Sequence, residues 1–385
     1  MAPEPGTRSL TDTPAPVRQL GYFERSGPIR LILGSFFFLT LPVAGLVLFL
    51  PQADKLAWLY FWLFGGTHIV ITLTIYGSRA NRQYFTNSLR NRVIFFGVPT
   101  CILAAFTAVY STNLATNLPW LALIFWAGVR FMNFFHLNRQ TFGVLQLFKA
   151  RAKGKFPAWA KRCENGTGLA LVAALMVTHA SGGICPFLFG TVEPLYGVIA
   201  PVQLLQLLWL ACMVIATGLF TASLVALVRT RPANGYREPL LYFAFQFIGT
   251  AAATIFLPLY LAALAIHYVE YHTLMVPRIA AQKLDESHRI DRGYGWLRAR
   301  PLGFIVVILG LSALVTTGMN SMNLDRPGSG GAAAWGMLLT AFDALVVCHY
   351  FLEMFIWKFS DPHFRKSMDG VYFAPKPSVL RIAQD

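Results

Sequence analysis

Acidic residues are scarce in this chain. Asp and Glu together number 17 among 385 residues, against 32 Lys and Arg, and charged residues of both signs make up only 13%. That is too little charge for the surface of a water-soluble protein of this length. Cysteine is also sparse: Cys101, Cys163, Cys185, Cys212 and Cys348 are scattered, with no CxxC. This spacing excludes a disulfide framework, a zinc ribbon and a CxxCH haem attachment. Other signatures are missing too. There is no HxxxH with HxxHH histidine-box set, no GxGxxG after a strand, no GxxxxGK[ST] and no GxSxG.

Apolar residues fill the space. They account for 56% of the chain, and the mean hydropathy is +0.53. Runs of about 20 apolar residues recur, each long enough for a hydrocarbon core of roughly 30 Å. The sequence therefore predicts an all-α, polytopic membrane bundle. Its spans fall near 29–50, 56–76, 92–111, 118–147, 167–183, 202–228, 239–256, 258–277, 301–320 and 335–357. Residues 1–28 are polar and proline-rich without the layout of a cleavable signal, and are predicted to be a disordered tail. Residues 358–385 form a second tail.

The net charge of +15 sits between the spans. Basic residues cluster in 77–92, 149–162, 229–237, 278–300 and the C-terminal tail. The alternate loops ("PQADK", "STNLATN", the stretch around Glu193, "NLDRPGSGG") are nearly free of them. Ten spans with both termini cytoplasmic place every basic cluster inside, as in a multi-pass protein of a bacterial inner membrane. The positive charge thus sets orientation and implies no nucleic-acid partner. Residues 239–277 are predicted to form a hairpin turning near Pro258, because one helix of that length would be about 58 Å long. Proline lacks an amide hydrogen and clashes with the preceding turn. The loop 278–300 is predicted to hold a short amphipathic helix.

The histidines carry the functional signal. His288 and His363 lie in cytoplasmic loops, and His179 lies toward the outer half of the fifth span. His68, His136, His267 and His349 fall instead on four spans that run in one direction. The first basic residues beyond them are Arg79, Lys149, Arg278 and Lys358, which are 11, 13, 11 and 9 residues away. Four histidines thus share a layer about 14–20 Å from the basic boundary. A lone intramembrane histidine is ordinarily an interhelical hydrogen bonder. Four at one depth point to function, because ionisable groups in lipid are costly, and neutral imidazole is the commonest metal ligand.

Carboxylates stand beside two of them. His267 and Glu270 are spaced i, i+3, and His349 and Glu353 are spaced i, i+4, so each pair shares a helix face. Bundle metalloproteins project His and Glu inward in this way. The alternative is that both glutamates are polar helix ends. The expected metal ligands are His68, His136, His267, Glu270, His349 and Glu353. His272, roughly 140° round the helix from His267, and Asp343, six positions before His349, are expected as supporting partners. Arg130 and Gln140 on the fourth span, with Tyr271 and Glu270 on the eighth, are the expected catalytic groups. Arg130 could equally form a buried structural ion pair.

Imidazole with carboxylate suits one or two iron ions, and also manganese, zinc or copper. The first functional expectation is a membrane oxidoreductase using dioxygen on a hydrophobic substrate from the lipid phase, with an electron-donor protein as partner. A haem held by two of these histidines is a variant of it. The second, from another class, is a proton- or ion-coupled transporter with the same residues as a relay.

Overall fold

The computed structural model describes residues 21–50, 59–111, 117–188, 202–285, 287–321, 333–358 and 360–373. The loops "PQADK", most of "STNLATN", the stretch around Glu193 and "NLDRPGSGG" lie outside the described residues, as does the side chain of Asp343.

Among the described residues the chain is helical, and each of the ten predicted apolar segments lies on a helix. In chain order these are α1 (Ser26–Phe49), α2 (Phe61–Gly77), α3 (Arg79–Thr86), α4 (Leu89–Val109) and α5 (Pro119–Ala152). Then come α6 (Ala158–Ala180), α7 (Val202–Thr230), α8 (Arg237–Ile255), α9 (Tyr260–Ala280), α10 (Arg289–Arg298), α11 (Pro301–Ser321), α12 (Ala333–Ile356) and α13 (Pro362–Tyr372). Four of them, α1, α4, α5 and α7, are long and apolar enough to cross a membrane by length and composition. The bent pair of α10 and the start of α11, at 103°, would make a fifth. Large apolar side chains stay on the outside, among them Phe49, Leu207, Val214 and Val306. Such a surface suits lipid rather than water.

The hairpin at Pro258 forms as expected. Helix α8 ends at Ile255, Leu257–Leu259 makes one tight 3-10 turn, and α9 begins at Tyr260. Gln246 and Glu270, twelve residues before and after Pro258, are hydrogen-bonded across it. The turn closes with few glycines of its own because another segment satisfies its backbone. The Cys185 N–H donates to the Ile255 carbonyl at 2.8 Å, and the Leu257 N–H to the Gly183 carbonyl at 2.8 Å. Unpaired backbone groups at that depth would be costly. The donated segment needs Gly182 and Gly183, whose φ values of 79° and 88° favour residues without a Cβ.

Some predicted boundaries shift. Tyr22–Glu24 form a short 3-10 turn and α1 starts at Ser26, so residues 21–28 are not a loose tail. Phe23 is fully buried against the Phe148 ring, 5.4 Å between centroids, because an aromatic side chain gains more by packing than a free tail keeps in entropy. The second tail is likewise folded as far as Phe373: the buried Tyr372 hydroxyl donates to the Leu274 carbonyl at 2.9 Å. Gly21 packs on the backbone of Phe373, so the two ends of the described chain meet on one face. Within 278–300 only Arg289–Arg298 is a separate helix. The segment before it is held by polar contacts instead. Buried Asp291 accepts from the Arg79 and Asp285 amides, 3.0 Å each, and from Arg82 Nη2 at 2.7 Å. Burial alone would raise the Asp291 pKa, but these donors outweigh it and hold the carboxyl below the usual range.

Helix α2 is irregular just before its histidine. Phe61–Gly66 is a π-helical turn, and Thr67–Leu73 resumes the α form. A π turn adds a residue and rotates everything after it, and such turns gather at functional sites. Gly66 lets α11 come close: a Cβ there would lie 2.2 Å from Ser312 Oγ.

Candidate metal centre

Four helices bring their histidines to one point, as their common depth predicts. His68 (α2), His136 (α5), His267 (α9) and His349 (α12) are all buried. The His68 ring centroid lies 4.5 Å from that of His349, 4.7 Å from His267 and 6.0 Å from His136. His136 in turn lies 5.0 Å from His267 and 4.9 Å from His349. Glu353 stands one turn below His349, with Oε2 3.5 Å from His136 Nε2.

Within this layer one ligand atom from each of His68, His136, His349 and Glu353 lies within 4.8 Å of the others. That spacing suits closure around a single ion at ligand distances of about 2.0–2.2 Å. The donor atoms are also unspent. His68 Nδ1 and Nε2, His136 Nε2, His267 Nδ1, His349 Nε2 and Glu353 Oε2 are buried without a hydrogen-bond partner. Buried polar atoms are nearly always paired, so an uncompensated group of six in one place marks a missing partner. The residues fit a metal.

Thr72, one turn beyond His68 on α2, organises the far side. Its hydroxyl donates to Glu353 Oε1 at 2.9 Å and lies 2.7 Å from His349 Nδ1. The same oxygen also reaches the His68 carbonyl at 3.2 Å; with its one proton given to the carboxylate or to that carbonyl, the contact with His349 is Nδ1–H donating to Thr72 Oγ1. That tautomer leaves the His349 Nε2 lone pair directed at the cluster. The Tyr271 hydroxyl also meets Thr72, and the Tyr271 ring lies 3.8 Å from that of His68.

Other expected residues fall elsewhere. Glu270 is buried but outside the four-residue group. Its Oε1 accepts from Gln246 across the α8–α9 hairpin, because its place one turn after His267 points it toward α8. His267 also lies outside that group, with its ring against the other three. Gln140 does not face substrate space with both ends: Nε2 donates to the His267 carbonyl at 3.0 Å, while Oε1 is left without a partner. His272 has no nitrogen to offer, since Nδ1 donates to the Tyr268 carbonyl at 2.7 Å and Nε2 lies 3.0 Å from Thr67 Oγ1. It secures α9 to α2 beside the π turn. Arg130 lines a cavity on the side of the Pro258 turn. That cavity, about 540 Å³, reaches His68, His136, His267 and His349 past Tyr260 and Tyr268. His363, expected in solvent, instead stacks on Tyr84 at 4.1 Å, and burial lowers its pKa. Thr72, Gln246 and Tyr350 were not foreseen. Thr72 was legible as i+4 from His68, whereas the Tyr350 ring, 4.8 Å from His136, depends on how α12 meets α5.

No family model, no curated protein and no solved structure matches this chain.

Proposed function

We propose that the chain is a multi-pass membrane metalloenzyme that oxidises a hydrophobic substrate with dioxygen at the four-histidine layer. The observation that carries this reading is the set of buried, unpartnered nitrogens and carboxylate oxygen on His68, His136, His267, His349 and Glu353. His68, His136, His349 and Glu353 are assigned as ligands of one ion, and His267 as the adjacent imidazole that completes or exchanges with them. One carboxylate in the group fits one ion better than two. Rings separated by only 4.5–6.0 Å leave little room for a haem between them. Three imidazoles and a carboxylate suit iron, with manganese, copper and zinc as the competing ions.

The ion, when bound, would supply the redox and Lewis-acid chemistry toward dioxygen. The chain's own residues supply the rest. Thr72 holds the His349 tautomer and one oxygen of Glu353. Tyr271 packs the His68 ring in place. The aromatic and aliphatic walls of the cavity on the Pro258 side, among them Phe61, Phe134, Leu264 and Val346, keep that side of the layer apolar and exclude water. In this reading all ten apolar helices cross the membrane, both termini face the cytoplasm, and the protein sits in a bacterial inner membrane. A separate electron-donor protein is required if the reaction needs reducing equivalents. Oxygen consumption by purified protein on addition of membrane lipid extract, lost in His349→Ala and in Thr72→Val, tests the proposal.

One observation favours a second reading. His136 lines cavities on both sides of the histidine layer. A proton-coupled carrier would also have a central ionisable site reached from two sides. Uptake driven by a pH gradient in proteoliposomes, without bound metal, would decide for the carrier.

A further inference from the structure

The cavity on the side away from the Pro258 turn has a chemistry of its own. It encloses about 760 Å³ and ends on His136 and Glu353. This volume falls in the roughly 300–1,000 Å³ range of small-molecule sites. Its lining holds three cationic side chains, Arg139, Lys161 and Lys358, all on exposed residues. Among the described lining residues the one carboxylate is Glu353, on the floor. The opposite cavity carries a single cation, Arg130.

Two of the three cations are gathered rather than scattered. Arg139 and Lys161 stand over the same Phe142 ring, 5.4 and 5.8 Å from its centroid. Arg139 is one turn beyond His136 and Lys358 is five residues beyond Glu353. Along α5, Arg139 is therefore about 4.5 Å from His136, and Lys358 lies two residues beyond the end of α12. Phe135, Val144, Leu147 and Met354 make the walls apolar. Four buried atoms on the lining have no partner: His136 Nε2, Gln140 Oε1, Glu353 Oε2 and Trp357 Nε1.

We propose that this cavity binds a single-chain anionic amphiphile, of which a long-chain carboxylate is the simplest member, with its head on Arg139, Lys161 and Lys358. The proposal rests on the reading of the histidine layer as a catalytic metal site and names its substrate class. A head on these three cations sets the first carbons of the chain against the His136 and Glu353 floor. The rest of the chain lies along the apolar walls. A neutral amphiphile of equal length would fill the same walls and leave the cations without a counter-ion. The two thus differ by charge-assisted hydrogen bonds at the mouth.

Radiolabelled palmitate binding to the purified full-length protein in non-ionic detergent is the test. The expected result is saturable binding that Lys161→Gln/Lys358→Gln weakens about ten-fold, or ~1.4 kcal/mol. Lys161→Arg/Lys358→Arg should restore it. Hexadecanol should compete at least about ten-fold more weakly than unlabelled palmitate, and inorganic phosphate should not compete. Equal competition by hexadecanol, or unchanged affinity in the Lys→Gln pair, would overturn the proposal. Displacement by phosphatidylglycerol as strong as by palmitate would also overturn it, assigning the cavity to a bilayer phospholipid. The His349→Ala protein separates the two layers of argument: it should bind palmitate normally while losing metal. If wild-type protein binds palmitate in this charge-dependent way but carries no metal, the metalloenzyme reading fails and the cavity stands as a binding site alone.

Discussion

Thr72 Oγ1 lies 2.7 Å from His349 Nδ1, and the same hydroxyl donates to Glu353 Oε1 at 2.9 Å. One small side chain on α2 therefore orients two proposed ligands on α12. Second-layer partners of this kind commonly govern metal affinity or activity by 10–100-fold. Thr72→Val keeps the shape and removes the hydroxyl. The expected outcome is a drop of about ten-fold or more in metal affinity, with an unchanged elution profile in detergent and recovery in Thr72→Ser. Metal titration of the three proteins in parallel checks it.

His136 and Leu137 are neighbours on α5 with different duties. His136 Nε2 faces the cluster, while Leu137 is buried in a core with Phe134, Val172 and Leu175. His136→Ala should abolish metal binding and leave thermal stability nearly intact. Leu137→Ala should keep the metal and lower stability by about 2 kcal/mol, the low end for a cavity, because lipid is no worse than protein for the lost methyls. Equal losses of stability and metal in both variants would make His136 a packing residue.

The two glutamates should separate as cleanly. Glu353 lies in the four-residue group, and Glu270 is turned to Gln246 across the hairpin. Glu353→Gln should lose the ion. Glu270→Gln should retain it, since an amide can still accept from Gln246. Metal content after gel filtration distinguishes them; retention in both would remove Glu353 from the ligand set.

On the basic face, Asp291 ties the 281–288 segment to α3, and its folded pKa is depressed. A depressed carboxylate stabilises the fold above its unfolded pKa of 3.8 and loses that effect as pH falls through the folded value. The stability difference between wild type and Asp291→Asn should therefore be constant from neutral pH down to about 3.8, shrink between there and the lower folded value, and be gone below it. Protease susceptibility of the segment, followed against pH, reports the difference.

Orientation can be tested through Ser287, which is exposed in that segment. In a background with Cys101 replaced, a cysteine at position 287 should react with an impermeant maleimide only after cells are opened. Labelling of intact cells would put the basic face outside and overturn the ten-span arrangement with cytoplasmic termini.

Much of the site could be read in the sequence because depth along a helix is a one-dimensional quantity. Counting from His68, His136, His267 and His349 to the next basic residue sufficed to place four rings in one layer. Spacing could not say which face of each helix points inward. The π turn at Phe61–Gly66 rotates His68 and Thr72 together, and no residue pattern announces it. The i, i+3 relation of Glu270 to His267 did not foretell its split environment: Oε1 accepts from Gln246 on α8, while Oε2 is left without a partner. The hairpin at Pro258 was legible in outline. Its closure by Gly183 and Cys185 was not, since that bridge joins residues some seventy positions apart. Phe23 and Tyr372, in segments read as tails, show the limit of composition: a single buried aromatic outweighs a polar neighbourhood.

Metal stoichiometry tests the central claim most directly. Wild type, His349→Ala, Glu353→Gln and His288→Ala should be purified in parallel, anaerobically and without chelators, and measured by plasma mass spectrometry. The account predicts about one ion per chain in wild type and in His288→Ala, and almost none in the two ligand variants. Wild-type protein with only trace metal, or equal metal in all four, would contradict it.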